Sequence, residues 1–277
     1  MKAERYSVFQ LEEQTLQYSS FPADLYSRYK YGCVASTEFM AGLMTQLITT
    51  NCADWIGHDI VVIPSAYKHV PAAAVALSKI VNTQLNFNVY QTTWAAVKRR
   101  RVFDGDYGRL GYGDRIELMI NNDLYLDKSS FENKKVIAID DIRVTGAHEQ
   151  RLHTTLERSG VAHVRYFYIA QVINPKRTDI EHRLNHALVQ RIEELEDIIS
   201  SGRFGLNARV CKFLMSYPDQ AALSAFLKKR TFTFLSDLQH AVTADGYDQM
   251  RLYAANALLL KSLLLQASES LQRVGMR

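Results

Sequence analysis

The sequence predicts an α/β fold, a parallel sheet flanked by helices, followed by an all-α C-terminal region. Three observations carry that expectation. Strand-like and helix-like segments alternate through the first two-thirds of the 277 residues. The most apolar of the strand-like runs leads through a short turn into a helix. Beyond Asn174-Pro175 no convincing strand remains. Alternation of this kind implies βαβ crossovers and hence parallel pairing, and such sheets bind ligands beyond the carboxyl ends of their strands.

The elements follow in order. Asp59–Pro64 is a short β-branched run stopped by proline, as a buried strand would be. Pro71 precedes Ala72–Val81, a run of good helix formers, and sits where proline suits the first helical turn. Phe87–Thr93 reads as a second strand, and Lys135–Asp140 as a third and the strongest. His148–Arg158 is a helix ended by Gly160, and Val164–Val172 is a fourth strand. After a soft boundary near residue 175, Leu184, Leu188, Ile192, Leu195 and Ile199 recur as one buried helix face. Further helices are expected at Asn207–Tyr217, Gln220–Lys229, Thr233–Thr243 and Tyr247–Val274. The chain thus divides into residues 1–175 and a helical part, 176–277.

Composition excludes several classes. Lys and Arg number 33 against 29 Asp and Glu, a net charge of +4 that predicts no nucleic-acid partner unless the charge is clustered locally. The opening residues carry charges where a signal peptide needs an apolar core. The longest apolar stretch, Ala257–Leu265, is too short to span a bilayer and is broken by Lys261; its leucines suit the core or a subunit interface. Cys33, Cys52 and Cys211 form no CxxC pattern and suit a reducing compartment. A cytoplasmic protein without a membrane partner is the expectation.

The chemistry concentrates in Val136–His148. A buried strand ends in two adjacent carboxylates, Asp140 and Asp141, and buried ionised groups are costly unless paired. A sugar diol held directly, or Mg²⁺ held through water, would pair them. The Thr145-Gly146 turn then brings backbone N–H groups and a hydroxyl to the start of a helix, a ready phosphate cradle. Diol-binding acids followed by such a cradle describe a ribose 5-phosphate site.

This stretch resembles the phosphoribosyl-pyrophosphate (PRPP) motif of type I phosphoribosyltransferases. The resemblance implies that fold, with a flexible hood. By it, Asp140 and Asp141 hold the ribose hydroxyls and, through water, Mg²⁺. Val144, Thr145, Gly146, Ala147 and His148 wrap the 5-phosphate, and Arg143 is counted among the PRPP-binding residues. Arg143 stands where the family usually has an aliphatic residue. Val144 stands where purine-salvage members often carry an acid, which argues against purine substrates. The resemblance also implies a pyrophosphate-binding loop at Ser65, Ala66, Tyr67 and Lys68, with Lys68 neutralising the leaving group. The insertion between the second and third strands, 94–134, corresponds to the hood and includes Lys98, Arg99, Arg100 and Arg109. Its glycines lack both GK[ST] and a proper GxGxxG, so they are no nucleotide loop on their own. Its basic residues fit a lid over a reactive sugar cation or a solvated loop equally well.

Within that superfamily the chain is similar to ComF-like proteins, through Arg28-Tyr29-Lys30-Tyr31-Gly32 and the helical Phe39–Leu43 over roughly residues 25–175. It lacks their N-terminal cysteine-rich zinc module. Thr145-Gly146-Ala147-His148-Glu149 looks like the run found in ComF-like enzymes encoded with tellurite-resistance or stress clusters. The resemblance implies a Mg²⁺-dependent phosphoribosyltransferase of nucleotide metabolism that moves the sugar phosphate to a base or amine. A non-catalytic PRPP-fold protein, either a DNA-handling factor or a PRPP-sensing regulator, is the alternative. A homodimer is compatible with either, and a nucleic-acid partner is not favoured. His148 fits a phosphate donor or merely the first residue of its helix. His182 and His186, four apart, fit a solvated helix face better than a metal site, with no third ligand nearby.

Overall fold

The computed structural model describes residues 1–12, 20–100, 124–175 and 179–275. Its centre is a parallel five-stranded sheet of order β1-β7-β6-β2-β3, formed by β1 (Lys2–Glu12), β2 (Asp59–Pro64), β3 (Gln91–Trp94), β6 (Lys135–Arg143) and β7 (His163–Ile173). α1 (Ala23–Lys30), α2 (Val34–Asn51) and α3 (Ala73–Phe87) accompany it, with α4 (Ala147–Arg158) between β6 and β7. β4 (Lys98–Arg99) and β5 (Leu124–Tyr125) pair antiparallel as a separate two-stranded ribbon.

Strand alternation divides the core. Ile60, Val62, Ile137, Ile139, Phe167 and Ile169 pack with Met40, Met44 and Leu77 of α2 and α3. Their strand neighbours Val61, Ile63, Val136, Ala138, Tyr166 and Tyr168 pack with Leu152 and Leu156 of α4. Successive side chains of a strand point to opposite faces, so these continuous apolar runs serve two helical layers at once.

The C-terminal part is helical, as expected: α5 (Ile180–Asn185), α6 (Ile192–Ser200), α7 (Ala208–Met215), α8 (Gln220–Lys228), α9 (Phe232–Asp245) and α10 (Ala254–Gly275). Their apolar faces share a cluster that also takes in Tyr31, Cys33 and Val70 from the first part of the chain. None of the described helices is long and apolar enough to cross a membrane.

Four expectations need correction. The first strand, β1, was not predicted. It lies at the sheet edge, where one side is open, and its charged residues masked the pattern; Tyr6 nevertheless stacks on Phe167, with centroids 5.2 Å apart. The strand expected from Phe87 begins at Gln91, because α3 runs on to Phe87, which is 85% exposed. The chain then turns through Val89 at φ 66°, and the Asn86 amide exchanges hydrogen bonds of 2.9 and 3.1 Å with Thr92. The single helix face expected over 184–199 is two helices facing two cores: Leu184 packs on the sheet side, Ile192, Leu195 and Ile198 on the helical side. Ser27 Oγ accepts the N–H groups of Leu188 (3.3 Å) and Val189 (3.2 Å), which keeps the intervening backbone out of a helix. Finally, residues 247–249 are a 3₁₀ turn, and the last helix starts only at Ala254.

Arg165 fastens the edge strand. Its guanidinium, 8% exposed, donates to Glu4 (2.7 Å), Asp54 (2.6 and 3.0 Å) and the Asn51 carbonyl (2.8 Å), and lies 4.4 Å from the Trp55 ring centroid. Donation from Lys2, Tyr6 and Arg165 brings the Glu4 carboxyl down from 4.5 to about 2. A depressed carboxyl contributes stability that is full above its unfolded value and is lost as pH falls through the folded one. Acid titration of the wild type should therefore show a loss of stability between about pH 4.5 and 2 that Glu4→Gln reduces, read by thermal melts at each pH. Equal slopes for the two proteins would contradict this.

Candidate functional site

The site is built at the carboxyl end of β6. Through Asp140 and Asp141 the strand keeps its alternation, so the two adjacent carboxylates leave on opposite faces. Asp140 faces the α4 layer, where its Oδ2 accepts from His148 Nδ1 at 3.1 Å; its Oδ1 accepts the Asp141 N–H at 2.9 Å. Burial alone would raise Asp140, but the His148 hydrogen bond and charge, the Asp141 N–H and the Lys30 charge outweigh it and hold the carboxyl below the usual range. About a fifth of its side chain (21%) is exposed.

Asp141 faces the other layer and is nearly closed off, at 7% exposure. Its Oδ2 forms an ion pair with Lys30 Nζ, while its Oδ1 accepts the Ile142 N–H at 2.8 Å. Glu181 Oε1 of α5 lies 4.0 Å from the same ammonium. Burial pushes Asp141 upward, and Asp140 and Glu181 add to that, against the pull of Lys30.

Lys30 was seen in sequence only as part of Arg28–Gly32. The structure accounts for three residues of that run. Lys30 reaches Asp141. Buried Tyr31 places its hydroxyl 3.1 Å from His186 Nδ1. Gly32, at φ 82°, is where a Cβ would stand 2.1 Å from the Gly205 carbonyl oxygen, and its own carbonyl accepts the Gly205 N–H at 2.9 Å. His186 Nδ1 also lies 3.0 Å from the Val189 carbonyl, so this ring nitrogen is used internally.

The turn after β6 is tight. Gly146, at φ 74°, caps α4, and a Cβ there would stand 2.6 Å from Arg143 Nη2. Val144 and Ala147 are buried, so they can offer a ligand only backbone. Thr145 Oγ1 accepts the Ala147 N–H at 3.4 Å. The N–H groups of the first turn of α4 have no intrahelical partner, and the positive end of its dipole lies here. Arg143 Nε donates to Glu149 Oε2 at 2.9 Å.

The loop after β2 lies at the same end of the sheet, because β2 and β6 are parallel neighbours. Ala66 and Tyr67 are buried and Ser65 is half-buried. Tyr67 donates its N–H to Val97 (3.1 Å) and accepts that of Arg99 (3.0 Å), tying the loop to β4. Lys98 Nζ sits 3.7 Å over the Tyr67 ring and donates to the Lys68 carbonyl at 3.2 Å. Arg100 lies 4.7 Å from the Tyr125 ring centroid, and Arg109 falls outside the described residues. Lys68 Nζ donates to the Asp245 carbonyl at 3.3 Å. The Asp245 carboxylate, 2% exposed, accepts the N–H groups of His69 (2.9 Å) and Val70 (3.2 Å) and the Tyr247 hydroxyl (3.2 Å). No spacing in the sequence linked Asp245 to this loop.

Asp141, 7% exposed and paired with the Lys30 ammonium, does not suit Mg²⁺. Asp140, ionised and part-exposed, suits a contact through water. Among the described residues no three His, Cys, Asp or Glu side chains are grouped to hold a metal directly.

Two stability effects follow. Asp141→Asn or Lys30→Met strands one member of a buried pair and should cost about 3–5 kcal/mol in denaturant unfolding. Asp140→Asn, at the exposed acid, should cost less than half of that. Asp245→Ala leaves two loop amides unpaired and should cost on the order of 2–4 kcal/mol, with Asp245→Asn intermediate because it keeps an acceptor.

Comparison with known proteins adds the following. No curated protein matches the chain. Similar solved structures include a hypoxanthine phosphoribosyltransferase from Staphylococcus aureus, at 15% identity and TM-score 0.33, covering 50% of this chain and 75% of that one. A hypoxanthine-guanine phosphoribosyltransferase from Bacillus anthracis gives 14%, 0.32, 50% and 79% in the same order. The hypoxanthine phosphoribosyltransferase of Trypanosoma cruzi gives 14%, 0.35, 50% and 74%. A family model described as PRTase ComF-like matches residues 3–260, well beyond the 25–175 where the resemblance was legible. From its edge strand into α10, the chain belongs to the ComF-like phosphoribosyltransferase family.

Proposed function

We propose that this chain binds PRPP and transfers its phosphoribosyl group to a nitrogen acceptor, a base or amine, releasing pyrophosphate. The observation that carries this is Asp140, ionised, part-exposed and braced by His148, beside a glycine turn that opens a helix. Membership of the family supports it.

In this reading Asp140 accepts hydrogen bonds from the ribose hydroxyls. His148 donates Nδ1–H to Asp140 and holds its orientation, since a carboxylate can only accept. The backbone of 144–148 and the Thr145 hydroxyl hold the 5-phosphate, whose charge the α4 dipole favours. The bond from C1 to the pyrophosphate oxygen breaks with its electron pair leaving on oxygen. The acceptor nitrogen bonds C1 and gives up a proton. Ser65–Lys68 is the loop that would meet the leaving group, and Lys68 supplies positive charge there. Mg²⁺, bound with the pyrophosphate and held by Asp140 through water, would neutralise leaving-group charge. Asp141 serves as the anchor of Lys30 rather than as a ligand. The cytoplasm, where PRPP is made and used, is the matching location.

A second reading is favoured by one observation: Lys68 is turned onto the Asp245 carbonyl. A PRPP-binding sensor needs no lysine on the leaving group. The DNA-handling version draws less support, since Lys98 is spent on the Tyr67 ring and the Lys68 carbonyl.

Calorimetry with PRPP and Mg²⁺ tests the reading. The wild type should bind, and Asp140→Asn should weaken binding about 10- to 100-fold, the worth of hydrogen bonds to a charged group. Pyrophosphate release on adding bases or amines separates transferase from sensor. Binding without release under any acceptor would leave the sensor, and no binding would sink both.

A further inference from the structure

We propose that Glu149 is a positioning residue that holds the Arg143 guanidinium against the phosphate turn, making an arginine part of the phosphate site. The inference rests on the reading above and deepens it. Glu149 is 7% exposed, in the first turn of α4, and its carboxylate is shared. Oε1 accepts from Arg5 Nε at 2.5 Å, and Oε2 accepts from Arg143 Nε at 2.9 Å and from the Tyr168 hydroxyl at 2.8 Å. Three strands therefore meet on one carboxylate: β1 through Arg5, β6 through Arg143 and β7 through Tyr168.

The consequence lies at Arg143. Its Nε is committed to Glu149, and among the described residues no acceptor takes the two terminal nitrogens of the fork. One of them, Nη2, stands 2.6 Å from the place a Cβ would take on Gly146, so the guanidinium lies directly on the turn. A cation at a helix N-terminus is opposed by the helix dipole. Glu149 offsets that repulsion, and a phosphate on the turn would remove it, with oxygens facing both the N–H groups and the guanidinium. Arginine suits this task, because its planar fork bonds a fixed carboxylate and a phosphate through different N–H groups. The chemical class recognised is a phosphate monoester on a sugar, and glycine at 146 is required both for φ and for the space Arg143 fills.

Binding of ribose 5-phosphate and of ribose to the full chain, measured by calorimetry, tests this. Arg143→Met should weaken ribose 5-phosphate about tenfold or more and leave ribose unchanged. Arg143→Lys should keep only part of the affinity, since an ammonium lacks the planar fork that bonds Glu149 and a phosphate through separate nitrogens. Glu149→Gln should weaken ribose 5-phosphate in the wild-type background and have no effect in the Arg143→Met background, because it acts through Arg143. Equal effects of Glu149→Gln in both backgrounds would mean a general structural role and overturn the proposal. Tighter binding in Glu149→Gln would mean that Glu149 competes for Arg143 and would overturn it as well. Unchanged affinity in Arg143→Met overturns it while sparing the phosphoribosyl reading. Failure of the wild type to bind either ribose 5-phosphate or PRPP defeats that reading first.

Discussion

The alternation of side chains at the end of β6 is the constraint on which the rest of the site depends. Two acids in succession on a strand must leave on opposite faces, and each then meets a different layer of the fold. Asp141 is committed to Lys30 inside the molecule, where a charge is tolerable only with its partner. Asp140 keeps a histidine, one backbone N–H and a part-exposed face. The site therefore has one structural acid and one available acid, though the sequence presents them as equals.

The helical C-terminal part closes the other side. Gly205 packs into the space left by Gly32, and the Asn207 side chain donates to the Lys30 carbonyl at 3.1 Å while capping α7. Asp245 at the end of α9 fixes the backbone of His69 and Val70. The 65–70 loop is thus gripped by β4 on one side and by α9 on the other. A family match that reaches residue 260 agrees with helices that are built into this arrangement.

Much of this was legible in the chain. β6 and the turn at Gly146 stand out, because a buried run ending in acids and Thr-Gly has few ordinary explanations. β2, β7, α4 and α7 to α9 were also legible, the first three from β-branched or helix-forming runs bounded by residues such as Pro64 and Gly160. The pattern failed where its physical basis was weak. β1 is an edge strand that tolerates charge on its open side, so Lys2, Glu4 and Arg5 break up its strand pattern. The run from Leu184 to Ile199 keeps a helical period although it serves two separate cores, and only Ser27, far off in sequence, breaks it. Lys30 lay within a recognised run, yet its partner is 111 residues away.

What the sequence alone determined is therefore local: a parallel α/β core, a helical C-terminal part, and an acid pair beside a glycine turn that opens a helix. These follow from periodicity, backbone preference and the cost of burying charge, all of which act within a few residues. The tertiary structure decided which acid is available, that Lys30 neutralises the other, that Glu149 gathers Arg5, Arg143 and Tyr168, and that Asp245 holds the loop. Those pairings join residues distant in the chain, and no local preference records which distant group a buried charge will meet.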